Sequence, residues 1–239
     1  MRNFSGIIKK GRKCKKAVVL KIKFCGLFRE CDIDYANALK PDFVGFIFVE
    51  HSKRFVDFAA AQALKSRLDS RIKAVGVFVD SPVERIIEAL SEGIIDAVQL
   101  HGSEDSAYID ALKVCMQSDL GAISTIIKAI KISDSHSLAQ SFEIQSKCGA
   151  DFILLDSPNA GSGRAFDWNA LAQSLAKSQD FTREFQTRFF LAGGVNAENI
   201  QSAIALKPFC IDISSGIESN GVKDFAKMQT IINAIKGES

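Results

Sequence analysis

Eight short apolar segments are spaced along this 239-residue chain, and each is followed by a stretch with helical character. The segments are residues 18–24, 43–49, 72–79, 95–100, 124–132, 152–155, 188–192 and 209–213. Apolar runs of this length, bounded by turn residues, are typical of buried strands in a parallel sheet. Their alternation with helical stretches therefore predicts a parallel sheet that is covered by helices.

The number of strand–helix units distinguishes between the two common forms of such a sheet. An open, doubly wound sheet would carry a glycine-rich fingerprint after its first strand, and Cys25-Gly26-Leu27 does not provide one. Eight units match the (β/α)8 barrel, which typically takes about 250 residues as one domain. The sequence therefore predicts an α/β fold, a single-domain (β/α)8 TIM barrel, over residues 17–239.

The helices are predicted from helix-forming residues and from the residues that begin or end them. They are expected at residues 32–39, 59–68, 83–90, 104–116, 134–147, 168–177, 197–206 and 222–235. Asp57 and Ser103 are expected to cap the second and fourth helices, because short polar side chains accept hydrogen bonds from a first turn. Pro41 disfavours helix in the residue before it, so the first helix should end before this proline.

The first sixteen residues differ from the rest of the chain in charge. They carry seven Lys or Arg residues and no acid, whereas the formal net charge of the whole chain is only +2. We expect residues 1–16 to form a basic, poorly ordered extension, with binding to nucleic acid or another acidic partner as the alternative. Lys21 and Lys23 interrupt the apolar residues that follow, so a secretory signal is not predicted.

Cysteine and histidine usage favours a reduced protein without a metal. The six cysteines are scattered and lack paired metal-ligand spacing, which is typical of free thiols in a cytoplasmic protein. The three histidines also lack metal-ligand spacing, so no metal is predicted. No run of 18 apolar residues occurs, and no membrane partner is expected.

Two side chains at predicted strand ends have the chemistry of a proton-transfer pair. Cys25 follows the first strand and Asp156 the sixth. In a barrel these ends share one rim, which is where such folds hold their active sites. A thiolate can act as a base and a protonated carboxyl as an acid, which would suit an isomerisation between neighbouring atoms. The alternatives are a small buried cysteine and an aspartate that caps a helix.

The other rim residues favour an anionic ligand. Gly193-Gly194 and Ser215-Gly216 follow the seventh and eighth strands, where barrels often bind phosphate through backbone N–H groups. Arg54, after the second strand, can hold a carboxylate or phosphate with two hydrogen bonds. His101, after the fourth strand, either contacts the ligand or orients a loop. Tight turns and a solvated arginine are the alternatives for the glycines and for Arg54.

A series of short motifs extends from about residue 18 to the C-terminus. The motifs are Lys23-Phe24-Cys25-Gly26, Val44-Gly45-Phe46, Ser52-Lys53-Arg54, Val75-Gly76-Val77-Phe78, Val98-Gln99-Leu100-His101-Gly102, Leu155-Asp156, Gly161-Ser162-Gly163, Phe166-Asp167-Trp168, Ala192-Gly193-Gly194 with Asn196 and Asn199, and Asp212 with Ser214-Ser215-Gly216 and Glu218. Each motif is weak alone, but all of them in this order are specific. By these motifs the chain resembles the phosphoribosylanthranilate isomerase family of tryptophan biosynthesis.

The resemblance implies an intramolecular oxidoreductase, an aldose–ketose isomerase that carries out an Amadori rearrangement without a cofactor. N-(5-phosphoribosyl)anthranilate would become 1-(2-carboxyphenylamino)-1-deoxyribulose 5-phosphate. The family's general base falls on Cys25, its general acid on Asp156, and its arginine at the anthranilate end on Arg54. Its phosphate loops fall on Gly193-Gly194 and Ser215-Gly216. We expect a small phosphorylated substrate, no nucleic-acid or membrane partner, and a monomer or homodimer.

Two positions depart from the family pattern, and two competing interpretations remain. Phe24 stands where a smaller aliphatic residue is usual, and Ala160 where the loop after the acid often begins with glycine. The competing enzyme is the histidine-pathway isomerase, which has an aspartate in the position of Cys25. A non-catalytic barrel that binds a metabolite is the competing interpretation from another class.

Overall fold

The computed structural model describes residues 20–132, 148–157 and 189–237, which include a closed barrel of eight parallel strands. The strands are β1 (Lys21–Cys25), β2 (Phe43–Ile47), β3 (Lys73–Phe78), β4 (Ala97–Leu100), β5 (Thr125–Lys131), β6 (Phe152–Asp156), β7 (Phe189–Leu191) and β8 (Cys210–Ile213). The predicted barrel is confirmed. Most strand ends lie within two residues of the prediction, because turn residues limit each apolar run.

The strands follow the order of the sequence around the barrel, and β8 pairs with β1 to close it. At this closure Lys21 lies in register with Cys210, and Phe24 with Ile213. All strands run in the same direction, so their carboxyl ends form one rim. Cys25 and Asp156 are the last residues of β1 and β6, and both therefore lie at this rim.

Helices cover the outside of the barrel. In the described ranges they are α1 (Glu30–Leu39), α2 (Phe58–Arg67), α3 (Val83–Ser91), α4 (Ser106–Leu120), α5 (Ile200–Ala205) and α6 (Phe225–Lys236). Asp57 caps α2 as predicted, and its side chain accepts a 2.7 Å hydrogen bond from the Ala60 N–H. None of these helices is long and apolar enough to cross a membrane.

Several predictions lie outside the described residues. They are the basic extension at residues 1–16, the helices at 134–147 and 168–177, and the glycine-containing loop that begins at residue 158.

The start of α4 differs from the prediction, because Asp105 and not Ser103 caps this helix. The Asp105 carboxylate accepts a 2.9 Å hydrogen bond from the Tyr108 N–H. Ser103 is held elsewhere, since its backbone N–H donates to the Asp80 carboxylate at 2.6 Å. The backbone N–H of Asp80 in turn donates to Glu104 at 2.9 Å. These contacts keep the residues before Asp105 in a loop, and α4 begins at Ser106.

The last helix also begins later than predicted. Residues 222 and 223 form a strand, β10 (Val222–Lys223), that pairs antiparallel with β9 (Glu218–Ser219). The Asp224 carboxylate accepts hydrogen bonds from two N–H groups of the first turn and so fixes the start of α6 at Phe225. A short 3₁₀ helix, Ser215–Ile217, connects β8 to this hairpin, which carries Glu218 and Lys223 towards the rim.

Apolar side chains fill the space on both sides of the strands. The larger cluster packs between the barrel and the helices, and the smaller one lies inside the barrel. Four aromatic rings at the amino end of the barrel lie in contact, with centroids 4.6–5.9 Å apart. They belong to Phe43, Phe152, Phe190 and Phe209. The amino end is therefore packed with aromatic side chains, and the carboxyl end holds the polar ones.

Candidate active site

A cavity of about 380 Å³ opens at the carboxyl rim of the barrel. Its wall includes seven of the eight predicted site residues, namely Cys25, Arg54, His101, Asp156, Gly193, Gly194 and Ser215. The eighth, Gly216, is not part of the wall. It packs against the preceding loop, where an added Cβ would lie 1.8 Å from the Val195 carbonyl oxygen. Residues chosen from separate strand ends thus meet in one space.

Glycines make room for the Cys25 side chain and for its neighbours. Cys25 is 7% exposed and lies in register with Gly45 of β2. A Cβ at Gly45 would fall 2.7 Å from the Cys25 sulfur, so only glycine leaves the thiol in this place. Gly26 has a φ of 75°, and a Cβ there would fall 2.5 Å from Arg54 Cδ. The backbone around Cys25 is therefore shaped for two functional side chains.

A buried ammonium group lies beside the thiol. Lys23 is 0% exposed, and its Nζ donates to Asp212 Oδ2 at 2.7 Å and to Gln99 Oε1 at 2.9 Å. The pKa of the Cys25 thiol lies above its ordinary value, because burial raises it by more than the nearby Lys23 ammonium lowers it. Burial alone would lower the pKa of Lys23, but the Asp212 carboxylate raises it above the ordinary value. The thiol therefore has a permanent positive charge beside it.

Asp156 lies at the far end of a series of polar side chains that begins beside Cys25. Its Oδ1 accepts a 2.7 Å hydrogen bond from the Ser157 N–H, and its Oδ2 lies 3.3 Å from His101 Nε2. His101 Nδ1 lies 3.1 Å from Gln99 Nε2. Through Gln99 and Lys23, this carboxyl is connected to the surroundings of Cys25. The two predicted proton-transfer groups therefore share one set of buried contacts.

Arg54 is a paired cation and not a solvated one. Its Nε and Nη2 donate to the two carboxylate oxygens of Glu218 at 2.6 and 2.7 Å. Burial by itself would raise the pKa of Glu218, but hydrogen bonds from Arg54 and Lys223 lower it below the ordinary value. The hairpin after β8 thus fixes the direction of an arginine that comes from the loop after β2.

The loops after β7 and β8 approach each other closely. Gly193 and Gly194 both have positive φ, 82° and 73°, which favours glycine. A Cβ at Gly193 would lie 2.5 Å from the Ser157 backbone nitrogen, next to Asp156. The Asn199 side chain donates to the Gly194 carbonyl at 2.9 Å and so fixes this turn. Bare backbone therefore faces the cavity beside the carboxyl group.

Among the described residues no group of three or more His, Cys, Asp or Glu side chains could hold a metal ion. Among the described residues, the cavity wall offers the thiol of Cys25, the carboxyl groups of Asp156 and Asp212, the imidazoles of His51 and His101, and the guanidinium of Arg54.

Comparison with known proteins identifies the family. A family model described as N-(5'phosphoribosyl)anthranilate (PRA) isomerase matches residues 22–234. The protein named N-(5'-phosphoribosyl)anthranilate isomerase from Endomicrobium trichonymphae is 40% identical over 221 residues, which is 90% of this chain and 96% of that protein. The chain belongs to the N-(5'-phosphoribosyl)anthranilate isomerase family. The family predicted from the sequence is thereby confirmed, together with an isomerase function.

Solved structures of phosphoribosylanthranilate isomerases have the same barrel. The phosphoribosyl anthranilate isomerase of Thermus thermophilus aligns with a TM-score of 0.76 at 29% identity, over 92% of this chain and all of that one. A phosphoribosyl anthranilate isomerase solved in complex with reduced 1-(o-carboxyphenylamino)-1-deoxyribulose 5-phosphate aligns with a TM-score of 0.73 at 29% identity, over 91% of this chain and 99% of that one.

Sequence reasoning assigns no role to three interior residues of this isomerase that belong to the family motifs. They are Lys23, Gln99 and Asp212, and each is buried. Lys23 stands two residues before Cys25, and Gln99 two residues before His101. Residues two apart on a strand face the same side, so this alternation is the signal that could have placed them under the site.

The departure from the family pattern at Phe24 does not reach the cavity. Phe24 is fully buried in the cluster between barrel and helices, while its neighbours Lys23 and Cys25 face the interior. The larger side chain therefore affects only packing outside the strands. The other departure, at Ala160, lies outside the described residues.

Proposed function

We propose that this isomerase converts N-(5-phosphoribosyl)anthranilate into 1-(2-carboxyphenylamino)-1-deoxyribulose 5-phosphate, with Asp156 as general acid and Cys25 as general base. The observation that carries the proposal is the single cavity that both side chains line, in a chain of this isomerase family. Both groups end their strands at the rim, and both are less than a tenth exposed.

The reaction needs one proton delivered and one removed. In the first step Asp156 gives its proton to the ribose ring oxygen, the C1'–O bond breaks, and a Schiff base forms at C1'. In the second step the Cys25 thiolate takes the proton from C2', which leaves an enolamine. The enolamine then becomes the ketone by moving a proton from the C2' hydroxyl to C1'. Positioned acids and bases each contribute about 10²–10⁴-fold to such rates.

The surroundings of Cys25 support its role as a base. A buried thiol is a poor base until it loses its proton, and burial raises the pKa of Cys25. The Lys23 ammonium acts in the opposite direction, because a nearby positive charge stabilises the thiolate. Lys23 itself keeps its charge through Asp212. The base therefore has a built-in counter-ion.

The glycine loops support binding of the substrate phosphate. Gly193, Gly194 and Ser215 line the cavity on the side of β7 and β8. Both glycines have a positive φ, a backbone conformation that residues with a side chain rarely adopt. Phosphate groups bind well where several backbone N–H groups converge. Gly216 contributes indirectly in this arrangement, because its lack of a side chain lets the two loops pack together.

Arg54 is the group that would meet the anthranilate carboxylate. A guanidinium has five N–H donors, and the contacts with Glu218 use two of them. Within the part of the chain that the structure describes, the remaining donors make no other hydrogen bond, and they can serve a second carboxylate on the cavity side, since Arg54 also lines the cavity. Glu218 would thus hold the arginine in place and leave its outer edge for the ligand. His101, also in the wall, completes the proposed substrate-binding set.

Turnover of freshly formed phosphoribosylanthranilate, followed by the loss of its fluorescence, tests the proposal. The wild-type protein should convert the substrate, and Asp156→Asn should lose nearly all kcat because an amide cannot deliver the proton. Asp110→Asn, an exposed change on α4, is the matched control and should retain full activity.

Two outcomes would overturn the assignment. Near-normal turnover by Asp156→Asn would remove this residue as the acid. A folded wild type without turnover would favour the histidine-pathway substrate, and failing that a barrel that only binds a metabolite.

Two further expectations remain predictions. The monomer or homodimer is tested by light scattering during size-exclusion chromatography. The cytoplasmic location is tested by fractionation of cells that express the chain. The reaction steps given above use only side chains and require no cofactor.

A further inference from the structure

Gln99 lies between the two halves of the proposed catalytic pair. Its side chain is 2% exposed and has a neighbour at each end of the amide. Oε1 lies 2.9 Å from Lys23 Nζ, and Nε2 lies 3.1 Å from His101 Nδ1. No catalytic step described above uses this residue.

The orientation of the amide follows from the chemistry of its neighbours. A lysine ammonium donates hydrogen bonds and accepts none, so the atom that faces Lys23 must be the amide oxygen. The amide NH₂ group then faces His101, and it can only donate. His101 Nδ1 must therefore accept, which places no proton on that nitrogen. In a neutral imidazole the single proton then sits on Nε2.

The other nitrogen of the ring faces the proposed acid. His101 Nε2 lies 3.3 Å from Asp156 Oδ2 and is buried, and no group in the described ranges accepts a hydrogen bond from it. Asp156 Oδ1 already accepts the Ser157 N–H at 2.7 Å. Oδ2 is thus the carboxyl oxygen that an Nε2–H donor can reach.

We infer that Gln99 is a positioning residue that fixes His101 in the Nε2–H tautomer, so that the imidazole presents a hydrogen-bond donor to the Asp156 carboxyl. The inference rests on the proposed role of Asp156 as the acid. When Asp156 gives up its proton, negative charge appears on a buried carboxylate. The Ser157 N–H already bonds one oxygen, and the His101 N–H, 3.3 Å from the other, would complete its hydrogen bond as the charge forms, so that both donors stabilise the carboxylate.

The tautomer is read directly by long-range ¹H–¹⁵N correlation NMR on protein labelled with ¹⁵N-histidine. Nε2 couples to both ring carbon-bound protons and Nδ1 mainly to one, so the protonated nitrogen can be assigned. The chain has three histidines, and the His101 signals are those lost in His101→Asn. In the wild type we expect the proton on Nε2. A proton on Nδ1 in the folded wild type would overturn the inference without any variant.

Gln99→Glu gives the expected change in both structure and rate. A carboxylate accepts from Lys23 and from the imidazole alike, so it favours a proton on Nδ1. We expect the NMR pattern to show Nδ1–H and kcat to fall about tenfold with little change in KM, a part of what the acid contributes. Gln99→Met, which has no polar atom to impose a tautomer, should show a mixed pattern and an intermediate kcat.

The control and the activity of Asp156→Asn separate the possible failures. Gln229→Glu, on α6 and away from the cavity, should leave both the His101 pattern and kcat unchanged. If Gln99→Glu moved the proton to Nδ1 without any loss of kcat, the positioning role would be wrong. If Asp156→Asn retained turnover, the proposed acid would be wrong, whatever the tautomer of His101.

Discussion

At the scale of single residues, the pKa of Cys25 depends on its burial and on two opposite charges, the Lys23 ammonium and the Asp212 carboxylate. Burial raises the pKa of Cys25, so only part of the protein holds the thiolate at neutral pH, and kcat/KM should rise with pH. Lys23→Met removes the stabilising positive charge and should move this rise to higher pH. Asp212→Asn removes a negative charge that raises the pKa of Cys25. Lys23 then has the thiolate itself as the group that keeps it charged, so this variant should move the rise to lower pH. The rate of iodoacetamide labelling of Cys25 against pH measures both shifts.

Lys21→Met is the matched control for the charge experiment. Lys21 belongs to the same strand, but its side chain is 38% exposed and its ammonium pairs with Asp42. Its removal should leave the labelling profile of Cys25 unchanged. Shifts of the Lys23 and Asp212 variants in the same direction would indicate loosened packing and would contradict the electrostatic account.

Arg54 provides the second prediction at this scale. A hydrogen bond to a charged group contributes about 1.5–3 kcal/mol. Arg54→Ala should therefore raise KM by roughly 10–100-fold with a smaller effect on kcat. Glu218→Gln keeps the arginine but weakens its support, and it should raise KM by less. Steady-state kinetics distinguish these results, and unchanged KM and kcat in Arg54→Ala would mean that the arginine does not contact the substrate.

The sequence predicts some of these residues and not others for a physical reason. Cys25 and Asp156 follow apolar runs, and the end of a strand is visible in the pattern. Lys21 and Lys23 look alike as interruptions of one apolar run, yet the first lies outside with Asp42 and the second is buried with Asp212. Which of the two faces inward is decided by the closure of the barrel, which the local sequence does not contain.

At the scale of secondary-structure elements, Gly45 in β2 determines the space for the base. An alanine Cβ there would lie 2.7 Å from the Cys25 sulfur, so the thiol must move. We expect Gly45→Ala to lower kcat about tenfold or more because the base is displaced, with a stability cost of roughly 1–3 kcal/mol.

Gly76 of β3 is the matched control for Gly45. A Cβ at Gly76 would lie 2.7 Å from the Phe78 ring and 2.8 Å from Ile95, which belong to the outer apolar cluster. Gly76→Ala should cost a similar stability, measured by urea unfolding, and leave kcat unchanged. Equal losses of kcat in both variants would show that general overpacking, and not displacement of Cys25, is the cause.

The elements themselves were predicted well where apolar patterning sets them and less well where side-chain hydrogen bonds do. All eight strands were predicted from their apolar runs. The helices α4, α5 and α6 begin two or three residues later than predicted. At α4 and α6 the reason is that Asp105 and Asp224 accept the hydrogen bonds of the first turn. The hairpin of β9 and β10 occupies residues that read equally well as the beginning of a helix.

At the scale of the whole molecule, the Lys23–Asp212 pair joins the first and last strands of the barrel across 189 positions of sequence. Lys23→Met leaves the buried Asp212 carboxylate without its cation and should lower the free energy of unfolding by about 3–5 kcal/mol. The double variant Lys23→Met, Asp212→Leu leaves no unpaired buried charge and should recover most of that loss. Urea denaturation measures both values.

An exposed ion pair provides the comparison for this stability prediction. Arg67 pairs with Glu30, and the two side chains are 45% and 74% exposed. Arg67→Met should change the free energy of unfolding by less than about 1 kcal/mol. A Lys23→Met variant that is destabilised no more than this would contradict the importance of the buried pair.

Long-range pairing is the part of the site that the sequence alone could not provide. Arg54 and Glu218 are 164 positions apart, and nothing near either residue indicates the other. The barrel brings them together because the loop after β2 and the hairpin after β8 flank the same strand, β1. The fold could be predicted from the repeated strand–helix pattern, whereas the pairing of Arg54 with Glu218 depends on how these units close into a barrel.

The measurement that tests the central claim most directly compares turnover of phosphoribosylanthranilate by the wild type, Cys25→Ala and Cys210→Ala. Both cysteines are buried in the barrel interior, but only Cys25 lines the cavity. We predict that Cys25→Ala lowers kcat by more than about 10²-fold while Cys210→Ala stays near wild type. Full turnover by a folded Cys25→Ala variant would show that the thiol does not take the proton from C2'.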